Sequence, residues 1–190
     1  MSYLQTPAED SLYDADREAM GYVPNYTKVF ALNPEVYAAW QQLNGAIKQS
    51  MDLRRYELAT LAAARRLRSS YCGLAHGKVL RDRFYDAGTV QAIATDHTTA
   101  DLDPADVAVI DFAERVAADA TAITETDIDE LREHGLSDSE IFQVVLAAAA
   151  RCFFSTVLDA AGTEPDVEFR ASLDPALRDA LTFGRPVANG

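Results

Sequence analysis

A chain of 190 residues with 48% hydrophobic and 25% charged side chains is long enough to bury a core within one domain and too apolar for disorder by composition. Its net charge of −13 argues against nucleic acid, because a duplex binder must neutralise phosphates with clustered Lys and Arg. Two cysteines and no charged-then-apolar leader give no sign of a secreted disulfide scaffold, which makes a reducing cytoplasm the expected compartment, and the apolar run Val144–Ala150 falls far short of the about 20 residues a bilayer needs.

Residues 1–24 read as an N-terminal arm or cap, with at most a short helix around Asp14–Glu18 before Gly21 and Pro24. From Tyr26 the pattern turns helical as far as Asn33, and Pro34 opens a helix whose apolar residues Val36, Trp40, Leu43 and Ile47 recur every three or four positions. Two alanine-rich helices follow, about Leu53–Leu67 and Ser70–Tyr85, able to approach each other closely. Gly88 and the polar stretch Asp96–Ala100 read as surface loop. Asp103 and Pro104 supply the N-cap and first-turn proline of a helix that buries Val107, Ile110, Phe112 and Val116.

Thr124–Asp127 and Gly135 bracket a short helix. Ser137 and Glu140 form a capping box, with Leu136 and Ile141 placed as a hydrophobic staple, and they open a long helix that runs to about Ala161 and stops at Gly162. The tail, 166–190, carries Pro175, Gly184 and Pro186 and reads as a short helix with a frayed end. No segment alternates as a strand does, so the expected fold is a single all-α domain spanning 1–190.

The chemistry concentrates in Ser69-Ser70-Tyr71-Cys72-Gly73-Leu74-Ala75-His76. A cysteine and a histidine four residues apart share one helix face, and the preceding helix offers Glu57. A thiol reacts as its thiolate, which a helix N-terminus and a neighbouring histidine both favour. With Ser69 as N-cap, Cys72 lies in the first turn; His76 can accept the thiol proton, and Glu57 can orient the ring or relay the proton. The plainer readings are Cys72 as a small buried hydrophobe and Glu57 as the ion-pair partner of Arg54, Arg65 or Arg66. Tyr71 is either a hydrogen-bond donor to a bound oxygen or a core aromatic. Cys152, in the apolar helix Ala148–Phe154, reads as core packing, His97 as a loop residue, and His134 as a cation near a helix C-terminus.

The Glu57, Cys72 and His76 spacing resembles the carboxymuconolactone decarboxylase superfamily, and more closely its alkylhydroperoxidase D-like, peroxidase-related branch, whose pattern is a glutamate, a spacer and C-x-x-C-x-x-x-H. The family's first cysteine falls here on Ser69. The resemblance implies an alkylhydroperoxidase D-like helical bundle, a thiol-dependent peroxidase acting on hydrogen peroxide or an organic hydroperoxide through Cys72, and a homo-oligomer, a trimer or hexamer. No cofactor is expected, since no cofactor-binding motif occurs and the chemistry belongs to the side chains alone.

Because serine cannot close the family's disulfide cycle, three outcomes stay open: resolution of Cys72 by an external thiol, resolution by Cys152, or a helical assembly scaffold that has lost the reaction. Decarboxylase chemistry of the carboxymuconolactone type is a further alternative, against which the Tyr-Cys-x-x-x-His string counts. No His and Cys spacing matches a zinc site, and neither a phosphate-binding glycine loop nor a dinucleotide fingerprint occurs.

Overall fold

The computed structural model describes residues 2–189. In chain order the helices are α1 Leu12–Met20, α2 Asn25–Phe30, α3 Pro34–Ser50, α4 Leu53–Arg66, α5 Ser70–Arg83, α6 Ala87–Asp96, α7 Pro104–Asp119, α8 Glu125–Glu133, α9 Asp138–Ala160, α10 Phe169–Ser172 and α11 Pro175–Ala180, with 3-10 turns at His97–Thr99 and Ala120–Ala122. Among the described residues there is no strand, and the fold is all-α.

The bundle is organised around α4. Every residue from Tyr56 to Ala64 is buried, which an α-helix reaches only when neighbours cover its whole circumference. Here α5, α7 and α9 pack against it. Alanine at 59, 62, 63 and 64 leaves room for backbones to come close on more than one side. Leu67 and Arg68 close α4, with Arg68 in the left-handed region at φ 57° and Ser69 N–H donating to the Ala64 carbonyl. This tight turn sends α5 back antiparallel beside α4 and sets Glu57 opposite the second turn of α5.

Part of the acidic surplus caps helices. Asp52, Asp86, Asp103 and Asp174 each accept a hydrogen bond from a first-turn backbone N–H, where the positive end of the helix dipole favours a carboxylate. The Ser137–Glu140 capping box and the burial of Leu136 and Ile141 match the sequence reading of α9. Of the four positions assigned to the buried side of α7, Ile110, Phe112 and Val116 are buried and Val107 is partly exposed.

Three expectations are corrected. The loop expected around Gly88 is helix α6, capped by Asp86 and held by buried Val90, Ile93 and Ala94. His97 is a buried residue: Arg65 donates to its Nδ1 at 2.8 Å, and its Nε2 lies 2.9 Å from Asp111. The tail holds two helices, and its end is packed. Leu177, Leu181, Val187 and Ala188 are buried, the Ala188 N–H donates to the Pro165 carbonyl, and Arg170 donates to the carbonyls of Val187 and Ala188.

The tail docks on α5. A Cβ on Gly73 would stand 2.6 Å from the Phe183 ring and 2.7 Å from the Leu181 carbonyl oxygen, so glycine is what admits the tail there. Gly184 N–H donates to Ser70 Oγ at 2.8 Å. By length and composition α9 could cross a membrane, but half of its most apolar window is buried inside the bundle, as in the core helix of a globule.

Candidate active site

Glu57 projects from the middle of α4 and is 1% exposed. Its Oε2 lies 2.5 Å from His76 Nδ1 on α5, and its Oε1 lies 3.2 Å from Lys48 Nζ on α3. Burial alone would raise the Glu57 pKa, but His76 and Lys48 outweigh it and hold the carboxyl below its ordinary value. His76 is held below its ordinary value, first by burial and then by the positive charge of Arg151. A neutral imidazole facing a carboxylate through Nδ1 carries its proton there. The Nε2 lone pair is left as the basic edge of the ring. Of the arginines proposed as partners of Glu57, Arg54 pairs with Asp106 and Arg65 with Glu114, and none pairs with Glu57.

Cys72 sits in the first turn of α5, as expected, and it is buried, at 2% exposure. The α9 helix closes over it. Ser155 Oγ donates to Sγ at 3.1 Å and Arg151 Nη1 at 3.6 Å. The hydrogen bonds around Sγ thus run to α9, while that of His76 runs to α4. Arg151 joins the two halves, because its other nitrogen Nη2 donates to Tyr56 Oη at 3.3 Å and Asn44 Oδ1 at 3.5 Å, and the Tyr56 ring meets the His76 ring edge-on with centroids 6.0 Å apart.

Ser69 occupies the N-cap position of α5, but its hydroxyl makes no capping bond. Fully buried, it lies beside the Asp159 carboxyl, whose pKa burial raises and this hydroxyl partly restores. Tyr71 is a core residue whose hydroxyl donates to Asp166 and accepts from Tyr26 N–H at 3.4 Å, so it is committed away from the sulfur. Cys152 is half-buried on α9, and burial raises its thiol pKa. Arg151, Ser155, Tyr56, Asn44 and Lys48 were not singled out from the sequence. Only Arg151 left a signal there, as a charge interrupting an otherwise apolar helix. Ser155 and Asp159 follow it at i+4 and i+8, so the three residues lie along one stripe of α9 that faces the start of α5.

An apolar groove of about 450 Å³ runs between α3 and α9, lined by Trp40, Leu43, Ile47, Leu146, Ala150 and Phe153 among others. A second apolar hollow continues it past Val36 and Phe153 towards Phe30 and Val157. Helix α3 therefore serves two sides: Asn44 and Lys48 reach the buried polar cluster, while Leu43 and Ile47 line the groove. Among the described residues no group of three His, Cys, Asp or Glu is placed to hold a metal ion.

No protein-family model and no curated protein matches the sequence. Solved structures do match. The alkylhydroperoxidase AhpD core of an uncharacterized peroxidase-related protein from Ralstonia eutropha JMP134 superposes with a TM-score of 0.80 at 24% identity, covering 88% of this chain and 94% of that one. An uncharacterized peroxidase-related protein from Silicibacter sp. TM1040 gives 0.79 at 23% identity over 88% and 93%. The debrominase Bmp8 in complex with 2,3,4-tribromopyrrole gives 0.75 at 17% identity over 93% and 100%. With an all-α core matched over nearly the full length of each of these proteins, the chain has the alkylhydroperoxidase D-like fold.

Proposed function

We propose that the protein is a thiol-dependent peroxidase in which Cys72 is the nucleophile, His76 the base and Glu57 the residue that sets the tautomer of His76. The observation that carries this reading is the 2.5 Å contact between Glu57 Oε2 and His76 Nδ1 on the turn of α5 that follows Cys72. It supplies a neutral base whose free edge is Nε2, one helical turn from a thiol in the first turn of the same helix. In the reaction the Cys72 sulfur attacks the distal peroxide oxygen, the O–O bond breaks, and the sulfur is oxidised to the sulfenic acid while the peroxide is reduced to an alcohol or water. The thiol proton passes to His76 and then to the departing oxygen. An external thiol next condenses with the sulfenic acid, releasing water and leaving a mixed disulfide, and a second thiol frees Cys72.

Two free cysteines and no disulfide among the described residues suit a reducing cytoplasm. The burial of Cys72 to 2% exposure favours a second reading, a helical assembly protein whose thiol is inert packing. Peroxide consumption in the presence of a small thiol separates the two. The peroxidase reading expects turnover that vanishes in Cys72→Ala and survives in Cys152→Ser. Absence of turnover, with Cys72 still an unmodified thiol under excess peroxide, establishes the scaffold.

A further inference from the structure

Arg151 is 4% exposed in the middle of α9, with its guanidinium over the faces of Trp40 and Phe154 at 5.8 and 5.5 Å. Its polar contacts are the Cys72 sulfur, the Tyr56 hydroxyl and the Asn44 side-chain oxygen, and its Nε makes no hydrogen bond among the described residues. No carboxylate pairs with it within the described residues. Glu57, a carboxylate whose charge reaches Arg151, is paired with His76 and Lys48. A guanidinium cannot shed its proton to escape burial, and a buried charge without a counter-ion is costly. Burial works against the Arg151 charge, and Cys72, Tyr56 and Glu57 together more than restore it.

We propose that Arg151 is a catalytic residue of this site, the counter-ion of the Cys72 thiolate. It holds the reacting sulfur as an anion from the α9 side while Ser155 fixes its direction with a second hydrogen bond. The inference rests on Cys72 being the nucleophile. It adds a positive charge that the Glu-Cys-His spacing does not contain, and it explains why a charged residue stands in the most apolar helix of the bundle. The attraction is reciprocal: the sulfur that Arg151 holds anionic is also what makes Arg151 tolerable in the core. The stripe of α9 that carries Arg151 and Ser155 thus acts as a lid of hydrogen-bond donors on the sulfur.

The test uses the full chain carrying Cys152→Ser, so that Cys72 alone reacts. Alkylation by iodoacetamide is followed from about pH 5 to 9, a range spanning the ordinary thiol titration. The thiolate displaces iodide and a carbon–sulfur bond forms, so the rate reads the anionic fraction. Arg151→Met is expected to lower the rate near pH 6 by about tenfold or more and to move the whole profile to higher pH. Arg151→Lys, which restores charge without the planar fork, is expected to recover part of the loss.

A purely structural Arg151 would change the rate by the same factor at every pH, or not at all, and either result overturns the proposal. Where Arg151→Met does not fold, Arg151→Gln keeps a hydrogen bond and loses the charge, and the same shift or its absence decides. The peroxidase reading fails separately, when Cys72 shows the Arg151-dependent profile but peroxide leaves it unmodified. A wild-type Cys72 that does not alkylate at any pH while folded overturns both.

Discussion

His76 Nδ1 and Glu57 Oε2 stand 2.5 Å apart between two helices joined by a three-residue turn. Both groups titrate below their ordinary values of 6.5 and 4.5. The unfolded chain therefore binds protons that the folded chain refuses, and stability rises with pH. The contribution of His76 is present above pH 6.5 and is lost as pH falls through its lower folded value; that of Glu57 is present above pH 4.5 and is lost further into acid. Urea midpoints measured from neutrality downward should fall in these two windows. Glu57→Gln should cost about 2 kcal/mol at neutral pH and flatten the acid limb. An acid limb as steep as that of the wild type would show that other carboxylates set it.

Two glycines should respond in opposite directions to the same substitution. Gly45, inside α3, has nothing within 4 Å of where a Cβ would stand, so Gly45→Ala should stabilise by about 1 kcal/mol through helix propensity alone. Gly73→Ala has the same intrinsic gain but drives a methyl group into the Phe183 ring and the Leu181 backbone. Overpacking of about 1–3 kcal/mol should outweigh that gain and lower the melting temperature. Thermal unfolding of the two variants side by side is the measurement, and equal shifts would refute the docking of the tail on α5.

The groove between α3 and α9 should be covered by further copies of the chain in a trimer or hexamer. Phe153 is 43% exposed on its rim and Leu43 54%, large apolar side chains beside a hollow lined almost wholly by carbon. Sedimentation should give a multiple of the 20.7 kDa chain mass. Phe153→Glu should dissociate the assembly without unfolding the bundle. A wild-type monomer at micromolar concentration would count against self-association.

Intact mass should show one oxygen added at Cys72 after stoichiometric peroxide and a second under excess peroxide, or a mixed disulfide when a small thiol is present. Ser69→Cys should redirect the product to an internal disulfide and protect Cys72 from overoxidation, because position 69 begins the turn that contains Cys72. Loss of two hydrogens in the wild type, mapped to Cys72 and Cys152, would instead make Cys152 the resolving thiol.

The parts of the fold that were legible in the sequence are those fixed by local chemistry. Asp103-Pro104, Ser137-Asp138-Ser139-Glu140 and Gly162 announce their helix ends with caps, and those ends fall where the residues place them. Helix α6 escaped because Gly88 and Thr89 in its first turn and the polar residues after it obscure a short amphipathic stripe, though Asp86 was available as its cap. The tail escaped for a different reason. Its order comes from surfaces supplied by α5, about a hundred residues earlier in the chain, and by Arg170 near its own start, so the prolines and glycine that suggested fraying lie in a packed segment. At the site, the Glu57–His76 pair followed from spacing, whereas the enclosure of the sulfur by α9 depends on a helix that begins more than sixty residues later and could be seen only once the chain was folded.

The seating of Leu181 and Phe183 against α5 also sets an order of events during synthesis. Helices α4 and α5 leave the ribosome early, but the notch at Gly73 stays unfilled, and Ser70 lacks its bond to the Gly184 N–H, until about a hundred further residues have been made. The helix that carries Cys72 is therefore finished by nearly the last described segment of the chain. A nascent chain halted before Leu181 would expose an apolar slot on the helix that carries Cys72.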